Sequence, residues 1–222
     1  MQKRKIVIGN YDTAANGWTL AGWQLGEAVQ KTNYADKPGG DGSWDLSTAL
    51  TDGIPRYNDR PFTATLECSE GDRLSREAKI RQMINLLDGM REDIELPDDE
   101  FHHINGRIHV RREYNDLAHA AVTVTATCKS WKYSNTETVI KLTAATGAKV
   151  AKIINGGRLA VVPLLKVEGS GASVLLKYGT ASLSLSAGTY QWPELLLTPG
   201  SHDLTYSGTG TLSITYREAV LE

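Results

Sequence analysis

The segments FTATLEC (Phe62–Cys68) and AAVTVTATC (Ala120–Cys128) alternate apolar and polar residues with a period of two. Successive side chains of an extended strand point to opposite faces, so Phe62, Ala64, Leu66 and Cys68 fall on one side and Thr63, Thr65 and Glu67 on the other. In the second segment Val122, Val124, Ala126 and Cys128 share a side, with threonines between them. The same habit recurs in RIHVRR, TETVIKL, SVLLKY, LTYSG and LSITYRE. β-branched residues suit a pleated, half-buried surface, and the chain is predicted to be mainly β.

One stretch breaks the period. In SREAKIRQMINLLD (Ser75–Asp88), Ile80, Met83, Ile84 and Leu87 lie on one helical face, Ser75 is placed to cap the start and Gly89 to close the end. A single amphipathic helix is expected to lie across a sheet. After it, EDIELPDDE places six carboxylates, Glu92, Asp93, Glu95, Asp98, Asp99 and Glu100, around Pro97, which suits a strand ending in an exposed turn.

Composition then shifts. Residues 1–148 hold 39 of the 50 charged residues and residues 149–222 hold 11, which places a boundary near TAATGAK (Thr143–Lys149). The expected organisation is an N-terminal β-sandwich domain with one helix over residues 1–145 and a second domain over residues 146–222. Beyond the boundary the turn signals NGGR, EGSGAS, YGT, SAGTY, TPGSH and SGTG recur about every 8 to 12 residues, the spacing of a small antiparallel sandwich or jelly-roll.

The residue types exclude much chemistry. A formal net charge of −2 implies no global attraction to nucleic acid or anionic membrane. The start, MQKRKIVIGNYD, has too short an apolar run for a signal peptide or a membrane span, so neither secretion by the general pathway nor membrane insertion is expected. Cys68 and Cys128 form no C-x-x-C pair and read as small buried hydrophobes. His102 and His103 are adjacent and so face opposite ways on a regular strand, while His103 and His109 share a parity but stand roughly 20 Å apart, so no metal site is expected. The loop KPGGDGSWDLSTALTDG (Lys37–Gly53) lacks the repeating carboxylates of an EF-hand, and its aspartates would repel a phosphate. No G-x-S-x-G elbow is present, and His119 has no partner recognisable from spacing. Neither an enzyme nor a cofactor is expected. Tyr178, Tyr190 and Trp192 offer a platform on which a sugar ring could stack, against the plainer reading that Trp192 in YQWPELLL is a core residue; a carbohydrate-binding sandwich is the alternative function.

Several segments taken in order, KPGGDGSWDLSTAL, YNDRPFTATLE, REAKIRQMINLLDGM, HHINGRIHVRREYNDLAHAAVTVTATCKSWKY, IINGGRLAVVPLLKVEGSG and GTGTLSITYREAVL, resemble the distal tail (Dit) protein family of long-tailed phages and prophages of Gram-positive bacteria. The resemblance runs from about Gly22 to the C-terminus. It implies a non-enzymatic hub at the virion tail tip, assembled in the bacterial host cytoplasm. Six copies would form a ring from the N-terminal sandwich, with a galectin-like C-terminal sandwich projecting outward. Its partners would be further copies of itself, the major tail tube protein, the tail-associated tip protein and receptor-binding or baseplate proteins, with DNA only in transit.

The resemblance also gives the glycine-rich loop a role, that of an extended arm reaching a neighbouring subunit. Gly39, Gly40 and Gly42 would permit the turns, Asp45 would hydrogen-bond across the loop, and Trp44 would anchor the arm with burial worth roughly 2 to 3 kcal/mol. Arg60 is expected to pair with a loop carboxylate such as Asp45. The acids of residues 92–100 are expected to face the DNA channel, a neighbouring ring or solvent.

Overall fold

The computed structural model describes residues 5–51 and 53–222, of which 58% of the chain is strand and 7% helix. The chain is mainly β, with curled sheets and one helix. It divides into two compact units, one ending at Lys132 and one beginning at Tyr133. Composition places the boundary near residue 145; the division falls earlier because Thr138–Thr143 pairs along its whole length with a strand of the second unit.

The first unit contains β1 (Val7–Ile8), β2 (Tyr11–Asp12), β3 (Thr19–Leu25), β4 (Tyr34–Asp36), β5 (Ser43–Asp45), β6 (Arg60–Cys68), α1 (Arg73–Leu87), β7 (Arg91–Leu96), β8 (Asp99–Asn115) and β9, which runs from Ala120 to Ser134. Its main sheet has the order β2-β1-β7-β8-β9-β6-β3. The alternating segments pack as their period predicts: Phe62, Ala64, Leu66 and Cys68 of β6 and Val122, Val124, Ala126 and Cys128 of β9 are all buried, in antiparallel register Phe62↔Ala126 and Leu66↔Val122.

The helix packs Ile80, Met83 and Leu87 into that core, with Ile84 half-buried beside them. Its cap differs from the expected one. Asp72, rather than Ser75, caps the start by accepting the Ser75 backbone N–H at 2.8 Å, because Asp72 holds the extended backbone (φ −82°, ψ 174°) that an N-cap requires. Gly89 closes the end at φ +79°. Arg76 is 2% exposed and ties the helix to the β8–β9 turn by donating from Nη2 to the carbonyls of Asp116 and Leu117, both at 3.0 Å, while Nη1 donates to Gly71 O at 2.5 Å.

The second unit contains β10 (Thr138–Thr143), β11 (Lys149–Asn155), β12 (Leu164–Tyr178), β13 (Ala181–Ser186), β14 (Gly188–Gln191), β15 (Gly200–Tyr216) and β16 (Ala219–Val220). Two long strands, β12 and β15, organise it. The first half of β12 pairs with β14 and the second with β13; the first half of β15 pairs with β11 and the second with β10. Both strands change partner at the same level, where their mutual register shifts between Glu168 and Ser173. EGSGAS and SGTG, expected as turns between strands, are therefore bends inside continuous strands. The reason is steric: a Cβ on Gly208 would lie 2.0 Å from the Ser173 carbonyl oxygen, and one on Gly210 would lie 2.7 Å from the Glu168 oxygen. Only glycine allows the two backbones to approach so closely and fold the sheet over. The fold encloses Ile153, Leu165, Val174, Leu176, Trp192, Leu204, Leu212 and Ile214.

Candidate functional site

Between β3 and β6 the chain leaves the sheet for residues 26–59. The excursion is anchored where it departs: the Gly26 N–H donates to Pro61 O at 2.7 Å, and the outgoing and returning strands bond through Lys31 N–H to Arg56 O (2.8 Å) and Asn58 N–H to Val29 O (2.9 Å). Tyr57 meets Trp131 of β9 edge to face, with ring centroids 5.4 Å apart. Sequence reading did not anticipate this root contact, since neither ring falls in a periodic run.

Farther out, β4 and β5 pair only with each other, in register Tyr34↔Asp45, Ala35↔Trp44 and Asp36↔Ser43. The turn between them is closed by Gly40 N–H to Lys37 O at 3.2 Å, with Gly39 at φ +69° and Gly42 at φ +77°, conformations other residues adopt at a cost. Gly40 has no positive φ and needs no such freedom. Asp45 accepts the Ser47 backbone N–H at 2.9 Å, and bonds from the Ser47 hydroxyl and backbone hold its carboxyl below the usual range.

The arm is a hydrogen-bonded frame carrying apolar groups in water. Trp44 is 52% exposed and Leu50 98%, and Val29, Tyr34 and Leu46 are exposed as well. A ribbon of two three-residue strands gains little from its own packing.

The expected Arg60–Asp45 bond does not form. Arg60 shares the parity of Phe62 and Ala64, so its side chain points to the core face, opposite Cys128 in the ladder, and it is buried, whereas Asp45 stays in solvent with Ser47. Burial pushes the Cys128 thiol up to about 12 against the opposing charge of Arg60, so it is not a reactive nucleophile.

The acidic segment forms the β7–β8 hairpin with Pro97 and Asp98 at its turn. Its carboxylates part company there. Asp99 turns inward and meets His102 Nδ1 at 3.0 Å and Lys132 Nζ at 3.2 Å; burial pushes its carboxyl up, but these bonds and charges outweigh burial and hold it low. Asp93 accepts Asn105 Nδ2 at 2.7 Å. Glu92 is half-buried, its carboxylate against Gly9, while Glu95, Asp98 and Glu100 remain exposed, next to Phe101, also exposed. Each nearby histidine has its own carboxylate: His103 with Asp93 at 3.6 Å and His109 with Asp88 at 2.7 Å. Among the described residues no three or more His, Cys, Asp or Glu side chains converge on a metal position.

The three aromatic residues of the second unit do not form a platform. Trp192 is 5% exposed in the core and offers no ring face to a sugar. The Tyr178 hydroxyl engages His202 Nδ1 at 2.7 Å, and Tyr190 pairs with Ser186 at 3.1 Å. Among the described residues no helix is long and apolar enough to cross a membrane.

No family model matches the chain, and no curated protein does. Its structure, however, is similar to the crystal structure of the SPP1 Dit (gp 19.1) protein, described as a paradigm of the hub adsorption apparatus in phages infecting Gram-positive bacteria, at 13% sequence identity and a TM-score of 0.66. The likeness covers 96% of this chain and 98% of the other, so the two proteins share one fold over nearly the whole length of both.

Proposed function

We propose that this chain is the structural hub of a phage tail tip: a homo-hexameric ring, built by the first unit, that joins the tail tube to the tail-associated tip protein and lets DNA pass. The observation that carries the reading is the fold likeness to a hub adsorption protein over almost the full length of both chains. The arm supports it. An isolated chain gains nothing from holding Trp44, Tyr34, Leu46 and Leu50 in water on an ordered frame, whereas a neighbouring copy covering them recovers roughly 2 kcal/mol for each large side chain fully buried. A ring needs two different patches per subunit, and an outreaching arm supplies one of them.

In this reading receptor-binding or baseplate proteins attach to the second unit. The exposed carboxylates Glu95, Asp98 and Glu100 are suited to a lumen or ring face that repels passing phosphate. The protein acts without cofactor, at the virion tail tip, after assembly in the host cytoplasm. The burial of Trp192 weighs against the carbohydrate-binding alternative. Native mass spectrometry of the purified chain tests the proposal: a six-subunit species is expected, and a monomer that persists to high micromolar concentration overturns it.

A further inference from the structure

On the first unit's sheet, Arg91 of β7 and Arg107 of β8 are directly opposite each other across the ladder, both exposed. Like charges so placed repel, and a carboxylate bonded to both would offset the repulsion. Here none is so bonded. Arg91 Nη1 donates to the neutral Asn105 Oδ1 at 3.0 Å, and Arg107 Nη1 to the Gly89 carbonyl at 2.6 Å. Of the carboxylates around them, Asp88 accepts the Val110 N–H at 2.9 Å and meets His109, and Asp93 reaches Arg91 only through the Asn105 amide. Among the described residues neither arginine has an ion-pair partner, and both line a concavity with Asp88, Ile108, His109 and Thr127, so two guanidiniums and an imidazole face one carboxylate there.

The arm carries the complementary arrangement. In the β4–β5 ribbon Tyr34, Asp36, Ser43 and Asp45 lie on one face, and Ala35 and Trp44 on the other. Asp36 and Asp45 are diagonal neighbours, about 7 Å apart; each accepts one local bond through Oδ1, from the Ser43 hydroxyl and the Ser47 N–H, and being exposed each can still take one splayed guanidinium fork. Tyr34 stands beside them, exposed, with a ring face on which a guanidinium can stack.

We infer that the opposed pair Arg91–Arg107 is the receiving site for the acidic face of the β4–β5 ribbon of a second copy of this chain. The inference rests on the ring reading and names the second of its two patches. It explains why the repulsion at Arg91–Arg107 is left uncompensated within one subunit: the neighbour's Asp36 and Asp45 complete it.

The test uses the full chain and sedimentation velocity, with far-UV circular dichroism and a thermal melt confirming that each variant is folded. R91E/R107E and D36R/D45R are each expected to weaken assembly at least about tenfold, and the four-fold variant that reverses both sides to regain most of it. R91Q/R107Q, which removes charge without introducing repulsion, gives an intermediate loss and serves if the reversed pair does not fold. A wild-type ring together with an R91E/R107E ring of unchanged affinity overturns the inference and leaves the hub reading intact; so does loss on both sides without recovery in the combined variant. A wild-type chain that never assembles overturns both. If R91E/R107E assembles normally but no longer retards duplex DNA, the pair is a phosphate contact and the assignment to the arm is wrong.

Discussion

The arm of the first unit and the bent strands of the second both depend on glycine, for opposite reasons. A Cβ on Gly39 or Gly42 would meet nothing within 4 Å, so these residues are there for backbone conformation alone, at φ +69° and +77°. At Gly208 and Gly210 the conformation is again left-handed in sign (φ +125° and +102°), but the space is also taken, by the backbone of the neighbouring strand. The first pair shapes a surface; the second closes a core. Tryptophan divides the same way: Trp44 on the arm is half exposed, and Trp192 is sealed inside the second unit. The arm holds Trp44 in water, and the second unit keeps Trp192 in its core.

The sharpest way to break that comparison is Gly208→Ala. The new methyl would sit 2.0 Å from the Ser173 oxygen at a φ that alanine avoids, and backbone cannot yield as a flexible side chain does. We expect a loss of roughly 5 kcal/mol, enough to unfold the second unit, whereas Gly42→Ala costs about 1 kcal/mol. Chemical denaturation of the two variants checks this, and equal effects would contradict the division between crowded and open glycines.

Next in size is the tryptophan pair. Trp192→Ala empties a core position and should cost about 3 to 4 kcal/mol, while Trp44→Ala should change the unfolding free energy of the isolated chain by less than about 0.5 kcal/mol yet impair assembly. A Trp44 variant that unfolds easily but assembles normally would mean the arm packs for the subunit's own benefit.

How far the sequence carried the fold also differs between the units. The strand faces of β6 and β9 and the helix face of Ile80, Met83 and Leu87 were legible because each buries one side against a single core, and burial writes its period into the residues. The helix start was displaced by three residues because aspartate and serine cap equally well, and only the backbone at Asp72 decides between them. In the second unit the signal misled at EGSGAS and SGTG: a glycine that turns the chain back and one that bends a strand through a corner have the same composition. Charge density placed the boundary too late because β10 belongs to the second unit by pairing, and pairing with β15, far along the chain, leaves no local mark. Of the arm, the turn glycines were legible; the Tyr57–Trp131 root and the core-facing Arg60 depend on contacts between distant segments. The opposed arginines depend on register, which the sequence of one strand does not contain.

A smaller effect is expected from Arg76→Met, which keeps much of the buried stem but removes the donors to Asp116 O and Leu117 O. Losing these bonds from a charged donor should cost about 2 kcal/mol in the first unit and nothing in the second. Following the unfolding of each unit separately checks it, and equal destabilisation of both would show that the clamp acts beyond the helix and its turn.

The gentlest probe is pH. In the first unit eight carboxyls, those of Asp12, Asp45, Asp72, Glu77, Asp88, Asp99, Glu113 and Asp116, are held below their ordinary values, chiefly by hydrogen bonds and nearby cations. In the second unit Glu168 is the one such group among the described residues, lowered by Lys166. A carboxyl whose folded value is depressed stabilises the fold above its unfolded value, and that contribution drains away as pH falls through the folded value. The window therefore opens below 3.8 for the aspartates and 4.5 for the glutamates, and it opens far wider for the first unit than for the second. Most of these groups are exposed, so each contributes little and salt screens it; only their number makes the effect visible. Trp192 is the second unit's one tryptophan of five, so the difference in fluorescence between the wild-type chain and Trp192→Phe reports on that unit while far-UV circular dichroism follows the whole. Between pH 7 and about pH 3 the melting temperature of the first unit should fall while that of Trp192 holds nearly steady. The opposite order, with Trp192 released first, would mean that hydrogen-bonded carboxylates are not what sets the two units apart, and that the glycine-bent core is the weaker of the two.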